Sequence, residues 1–117
     1  GPLGTIVDLR AESGAPPGRQ GAGSVHHVAF RAPDDDAELA MAAAVRGLGL
    51  RPTDPIDRQY FHSVYFREPG GVLFEIATDG PGFTVDEPKE ALGSSLKLPA
   101  WIEPRRAQIE AALPALA

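Results

Sequence analysis

Phe61-His62-Ser63-Val64-Tyr65-Phe66-Arg67-Glu68-Pro69-Gly70-Gly71-Val72-Leu73-Phe74-Glu75-Ile76-Ala77-Thr78 reads as a complete β-hairpin. Phe61–Arg67 and Val72–Thr78 are strand-length runs rich in aromatic and β-branched residues. Glu68-Pro69-Gly70-Gly71 between them is turn chemistry, because proline presets φ and glycine accepts the left-handed backbone. Loop length then decides which side chains meet. A three-residue loop of Pro69, Gly70 and Gly71 places Tyr65 opposite Glu75, whereas a two-residue loop shifts the pairing by one and separates their faces. The longer loop is the better reading, since Gly71 suits the left-handed position of a G1 bulge.

Working upstream, Ser24–Arg31 reads as a first strand. Pro33 and the acidic run Asp34, Asp35 and Asp36 then announce a helix. Asp35 is the expected cap, with Glu38 three residues on as in a capping box, and the negative charge suits the helix N-terminus. Met41, Ala44, Val45 and Leu48 form the expected buried stripe, and Gly47 or Gly49 ends the helix. Arg51–Arg58 is a poor strand, interrupted by Pro52 and Pro55. The order over residues 24–79 is strand, helix, strand, strand, strand: an α+β fold built as one βαβββ module with a mixed sheet and one packed helix. One helix covers one sheet face, so the other face must be buried against something, a second copy of the module being the expected cover. An exposed apolar sheet would otherwise be an aggregation liability, which predicts self-association.

Two side chains in these runs stand out. His27 lies in Ser24-Val25-His26-His27-Val28-Ala29-Phe30, and Glu75 in the last strand. A carboxylate inside a buried strand is costly unless something cationic pairs with it. A divalent metal is the most economical candidate, as imidazole nitrogen and carboxylate oxygen are two of the three ligands of a non-haem Fe(II) facial triad. The bland alternatives are a histidine bonded to a backbone carbonyl, and a glutamate paired with Arg58 or Arg67. His26 and His27 are neighbours, which in a regular strand face opposite sides. His62 falls on the opposite face from Tyr65 and reads as non-catalytic. The Asp34–Asp36 run is explained by helix capping rather than by a cation.

The rest of the chain mainly excludes. At 117 residues it allows one domain, and 12 Pro with 13 Gly make turns frequent. A net charge of −5 without a Lys/Arg cluster argues against nucleic acid. No apolar run reaches membrane-spanning length and no secretory pattern appears, so a cytoplasmic location is the default expectation. The absence of cysteine excludes thiolate ligands and disulfides. Gly1-Pro2-Leu3-Gly4 reads as the remnant of a cleaved tag, with a natural chain extending further upstream as the corresponding expectation. Residues 5–23 read as an edge strand over Thr5–Arg10 followed by a linker. Residues 80–117 read as a C-terminal extension with a short helix from about Pro104 to Leu113, whose apolar side is Ile109, Ala112 and Leu113.

A βαβββ module with His in its first strand and Glu in its last resembles the vicinal oxygen chelate superfamily of glyoxalases, bleomycin-resistance proteins and extradiol dioxygenases. The segments 18–30, 57–61, 65–83 and 98–106 together resemble the C-terminal half of bacterial ring-cleaving dioxygenases that act on hydroquinones. The resemblance implies Fe(II), or Mn(II), held in part by His27 and Glu75, with O₂ and an aromatic small molecule as reactants. It implies that Arg58 and Tyr65 line the substrate site and that His26 is a neighbouring active-site histidine. It also implies that the remaining His ligand belongs to an N-terminal half that this chain lacks.

Two further functions stay open at this point. A drug- or small-molecule-binding module of the resistance type needs neither His27 nor Glu75. A glyoxalase-like isomerase or hydrolase would gather both residues from two subunits around one metal.

Overall fold

The computed structural model describes residues 6–16 and 18–114. The expected tag remnant at residues 1–4 lies outside the described residues, as does Thr5. The fold is α+β, with a four-stranded mixed sheet and two helices: β1 (Val28–Ala32), α1 (Asp35–Gly47), β2 (Ile56–Asp57), β3 (Phe61–Arg67), β4 (Leu73–Pro81) and α2 (Arg106–Ala112). The strand order is β1-β4-β3-β2, with β1 parallel to β4 and the other pairs antiparallel.

The hairpin forms as its loop chemistry dictates. Glu68 N donates to Val72 O at 3.1 Å, leaving Pro69, Gly70 and Gly71 as the loop, and Gly71 takes φ +91°. Tyr65 accordingly pairs with Glu75. Glu68 reinforces the turn, its carboxylate accepting from Gly70 N and Val72 N at 2.7 Å each. Those backbone donors hold its carboxyl below the usual range.

α1 packs on β1, β3 and β4. The core beneath it is Ala32, Ala42, Val64 and Ile76, flanked by Ala37, Met41, Val45 and Phe66. Phe30, Phe66 and Phe74 extend this apolar face, with Phe74 edge-on to both others at 5.2 and 5.7 Å. The buried helix stripe therefore differs from the expected one: Glu38 and Ala42 are buried, while Ala44 is exposed and Leu48 is 80% exposed. Leu48 is the C-cap, where the chain already leaves the helix cylinder. The end is a Schellman arrangement, with Gly49 N donating to Arg46 O, Leu50 N to Val45 O, and Gly49 at φ +81°.

The N-cap is Asp34 rather than Asp35, its Oδ1 accepting from Ala37 N at 2.8 Å. Three adjacent aspartates are equivalent caps by sequence, and the tight exit from β1 selects the first. Glu38 takes no part in a capping box. It lies 1% exposed with Oε1 unpartnered, and burial pushes its carboxyl up.

Several boundaries shift. The first strand begins at Val28 instead of Ser24, so both histidines precede it. Of Arg51–Arg58 only Ile56–Asp57 pairs as strand, consistent with Pro52 and Pro55 offering no N–H. Over the described part of the expected edge strand, residues 6–10 are irregular, with Ile6, Val7 and Leu9 exposed at 73%, 50% and 80%. Alternation without a neighbouring strand edge has nothing to pair with, and the glycine-rich linker brings it to none.

The C-terminal extension makes three short 3₁₀ turns, Phe83–Val85, Lys89–Ala91 and Glu103–Arg105, and the last runs directly into α2. The expected helix is thus present, slightly shorter, with Ile109 half-buried but Leu113 50% exposed. Among the described residues no helix is long and apolar enough to cross a membrane.

The face opposite α1 carries Ala29 and Arg31 from β1, Leu73, Glu75, Ala77 and Asp79 from β4, and Ser63, Tyr65 and Arg67 from β3, by strand alternation from the observed register. This face is not the apolar surface expected from the sequence. It holds an Arg31–Asp79 ion pair and a buried carboxylate.

Candidate metal centre

Glu75 sits mid-strand in β4 between the two neighbours that give it company. On one side β3 brings Tyr65 into register. On the other, the approach to β1 brings His27, two residues before Ala29, which pairs with Glu75. His27 Nε2 is 2.6 Å from Glu75 Oε2, and the Tyr65 hydroxyl donates to Glu75 Oε1 at 2.7 Å. Both carboxylate oxygens are thereby engaged. The Glu75 side chain is 4% exposed and that of His27 35%.

Neither Arg58 nor Arg67 pairs with Glu75. Arg67 Nη1 donates to Gly71 O at 2.7 Å, and the Arg58 guanidinium lies over the Tyr65 ring, 5.5 Å from its centroid. A buried carboxylate with no arginine depends for its countercharge on His27 or on a cation at the same place. The structure also sets aside the backbone-carbonyl alternative for the His27 Nε2 atom, which faces the carboxylate.

His26 comes to the same place by an unexpected route. Because the chain at residues 26–27 is not yet a strand, the two rings do not point to opposite faces. His26 Nδ1 and His27 Nδ1 are 2.9 Å apart, so one ring donates and the other accepts. The contact orients the His27 ring and couples its tautomer to that of His26. The His27 and Tyr65 rings stand edge to face at 6.0 Å. A cleft of about 400 Å³ opens beside His26, lined by Arg19, Gln20, Arg67 and Leu73 among others.

The sequence-derived set His26, His27, Arg58, Tyr65 and Glu75 is therefore one contiguous cluster on the helix-free face. His27 Nε2 and the Glu75 carboxylate, one nitrogen and one oxygen donor converging from the approach to β1 and from β4, fit a divalent cation. Among the described residues no group of three or more His, Cys, Asp or Glu side chains forms a metal site, so the pair falls short of a full ligand set.

His62 lies across the sheet, away from this cluster. Its Nδ1 is 2.8 Å from Asp35 Oδ1 at the start of α1. That hydrogen bond raises its pKa above the usual histidine value against a smaller effect of burial. Sequence reasoning missed Ser63, fully buried with its hydroxyl unpartnered, and the contact of Gln59 and Tyr60 with Asp86. No motif marks either: serine in a strand is unremarkable, and Asp86 lies 26 residues or more along the chain from its partners.

Comparison with known proteins bears on the family and the fold. The Bacillus subtilis (strain 168) protein named "Putative ring-cleaving dioxygenase MhqA" is 45% identical over 113 residues, covering 97% of this chain and 36% of the relative. Chlorohydroquinone/hydroquinone 1,2-dioxygenase from Sphingobium indicum is 44% identical, covering 84% of this chain and 31% of that protein. A crystal structure of a Bacillus subtilis protein described as a "putative dioxygenase" superposes with a TM-score of 0.80 at 48% identity, over 88% of this chain and 34% of that one. The chain thus spans about a third of the length of the curated relatives it matches. Residues 4–76 match the family model described as the Glyoxalase/Bleomycin resistance protein/Dioxygenase superfamily, and the chain belongs to that superfamily.

Proposed function

We propose that this chain is the C-terminal module of a ring-cleaving, extradiol-type dioxygenase acting on hydroquinone- or catechol-like rings, in which His27 and Glu75 supply two of three ligands to Fe(II), with Mn(II) as the alternative. The observation that carries the reading is the buried Glu75 carboxylate, held between His27 Nε2 at 2.6 Å and the Tyr65 hydroxyl at 2.7 Å without an arginine. A second βαβββ module supplies the third ligand, either from an N-terminal half or from another copy of the chain. The coverage of about a third of the relatives is consistent with the former.

When bound, the metal supplies a common centre at which a phenolate oxygen and O₂ are brought together. The chain's own residues do the rest. Arg58, cationic and adjacent to Tyr65, stabilises negative charge on the substrate oxygens. The Tyr65 hydroxyl, which donates to Glu75 Oε1, holds a proton beside the reacting ring. His26 keeps the Nδ1 side of His27 occupied, directing Nε2 towards Glu75.

The test is anaerobic titration with Fe(II), followed by NMR. Paramagnetic broadening should begin at His27 and Glu75 and disappear in Glu75→Ala. Broadening elsewhere, or broadening indifferent to that substitution, sinks the reading. Metal retained through gel filtration at one ion per two chains assigns the missing ligand to a second copy. No retained metal assigns it to another module.

A further inference from the structure

Arg58 reaches the site from a turn that the sheet alone holds poorly. β2 has 2 residues, and the connection from Asp57 to Phe61 is closed by Arg58 N donating to Phe61 O at 2.9 Å. Gln59, at its tip, has φ +70° and is the sole non-glycine residue with positive φ among those described. A side chain with a Cβ is strained in that conformation, so the surroundings must enforce it. Asp57 Oδ1 helps, accepting from Gln59 N at 2.7 Å.

The second restraint comes from the C-terminal extension. Asp86 Oδ2 accepts from Gln59 Nε2 at 2.9 Å and from the Tyr60 hydroxyl at 3.0 Å. Gly82 N donates to Tyr60 O at 2.7 Å, and the Tyr60 ring lies against Phe83 at 5.1 Å. The turn's apex, Gln59, and the residue behind it, Tyr60, are thus fastened to the segment that follows β4. Arg58, their neighbour, is left free to project its guanidinium over Tyr65. A long exposed arginine has much rotamer freedom to lose, and a rigid turn reduces how much of it must be lost on binding an anion.

We propose that Asp86 is a positioning residue for the site: by holding Gln59 and Tyr60 it fixes the β2–β3 turn in the conformation that places Arg58 over Tyr65. The functional value of this placement rests on the dioxygenase reading, whereas the tie itself does not. It gives the C-terminal extension a part in the site that its distance in sequence conceals.

NMR on this chain tests it, because Arg58 side-chain signals carry a ring-current displacement from Tyr65, assigned by its disappearance in Tyr65→Leu. In Asp86→Ala the displacement should be lost while the Val64 and Ile76 methyl signals stay in place. Asp86→Asn keeps a carbonyl oxygen that accepts from both donors and should restore it. Should Asp86→Ala fail to fold, Gln59→Asn decides: asparagine tolerates positive φ but is one methylene too short to reach Asp86. An unchanged Arg58 displacement in Asp86→Ala, or in Gln59→Asn where that variant decides, overturns the proposal. A lowered urea midpoint with Arg58 undisturbed likewise leaves Asp86 a purely structural residue. Failure of the dioxygenase reading shows separately, in the Fe(II) titration of His27 and Glu75.

Discussion

The Tyr65 hydroxyl donates to Glu75 Oε1 at 2.7 Å across the β3–β4 ladder, joining a half-buried phenol to a carboxylate that water scarcely reaches. Hydrogen bonds to charged groups contribute about 1.5–3 kcal/mol, and leaving a buried acceptor unsatisfied costs a comparable amount. Tyr65→Phe should therefore lower stability by about 1–2 kcal/mol, read as a reduced urea midpoint with an unchanged m-value. An unchanged midpoint would mean that water replaces the phenol at Oε1.

That pairing was legible from the loop. Pro69, Gly70 and Gly71 encode their own backbone conformation, and loop length fixes register without help from the rest of the fold. Other features depended on partners that local pattern does not name. Ile6, Val7 and Leu9 alternate like a strand but have no strand edge beside them. Asp34, Asp35 and Asp36 are interchangeable as caps until the turn out of β1 chooses Asp34. His26 and His27 meet because the strand begins only at Val28, a boundary no periodicity in a five-residue strand resolves. Asp86 was silent, since an aspartate beyond the last strand carries no signal of the turn it holds.

The acidic run at the start of α1 divides into two separable jobs. Asp34 caps through Ala37 N, so Asp34→Ala should cost about 1 kcal/mol (range about 0.5–2). Asp35 bonds His62 instead, so Asp35→Ala should cost less in stability but remove a pH dependence. Urea titrations of both variants at pH 6 and pH 8 distinguish the roles. Equal losses at both pH values for Asp35→Ala would contradict the assignment.

The sign of that dependence follows from His62. Its folded pKa is raised above the unfolded value, chiefly by the Asp35 hydrogen bond, so folding favours the protonated ring. The contribution is complete below the unfolded pKa, near 6.5, and is lost as pH rises through the folded one. Because the pair is more than a third exposed, its size should be about 0.2–1 kcal/mol. Wild type should exceed His62→Gln in stability below pH 6.5, with the difference shrinking towards pH 8.5. A difference that grows with pH would reverse the sign.

Glu75→Gln separates a ligand from a structural partner. If the carboxylate serves chiefly to neutralise His27, its loss should be felt whether or not metal is present. Breaking a buried ion pair costs about 3–5 kcal/mol. The half-exposed position of His27 argues otherwise, since water can solvate the imidazole once the carboxylate is gone. The glutamine oxygen also still accepts from Tyr65. In EDTA, then, Glu75→Gln should lie within about 1 kcal/mol of wild type, or above it, because a buried charge has been removed. With Co(II) as an air-stable substitute for Fe(II), wild type should gain about 2.7 kcal/mol at a hundredfold excess over Kd, and the variant nothing. Paired urea curves with EDTA and with Co(II) give both numbers. A large loss in EDTA with no differential effect of Co(II) would make the His27–Glu75 pair an element of the fold rather than half of a metal site.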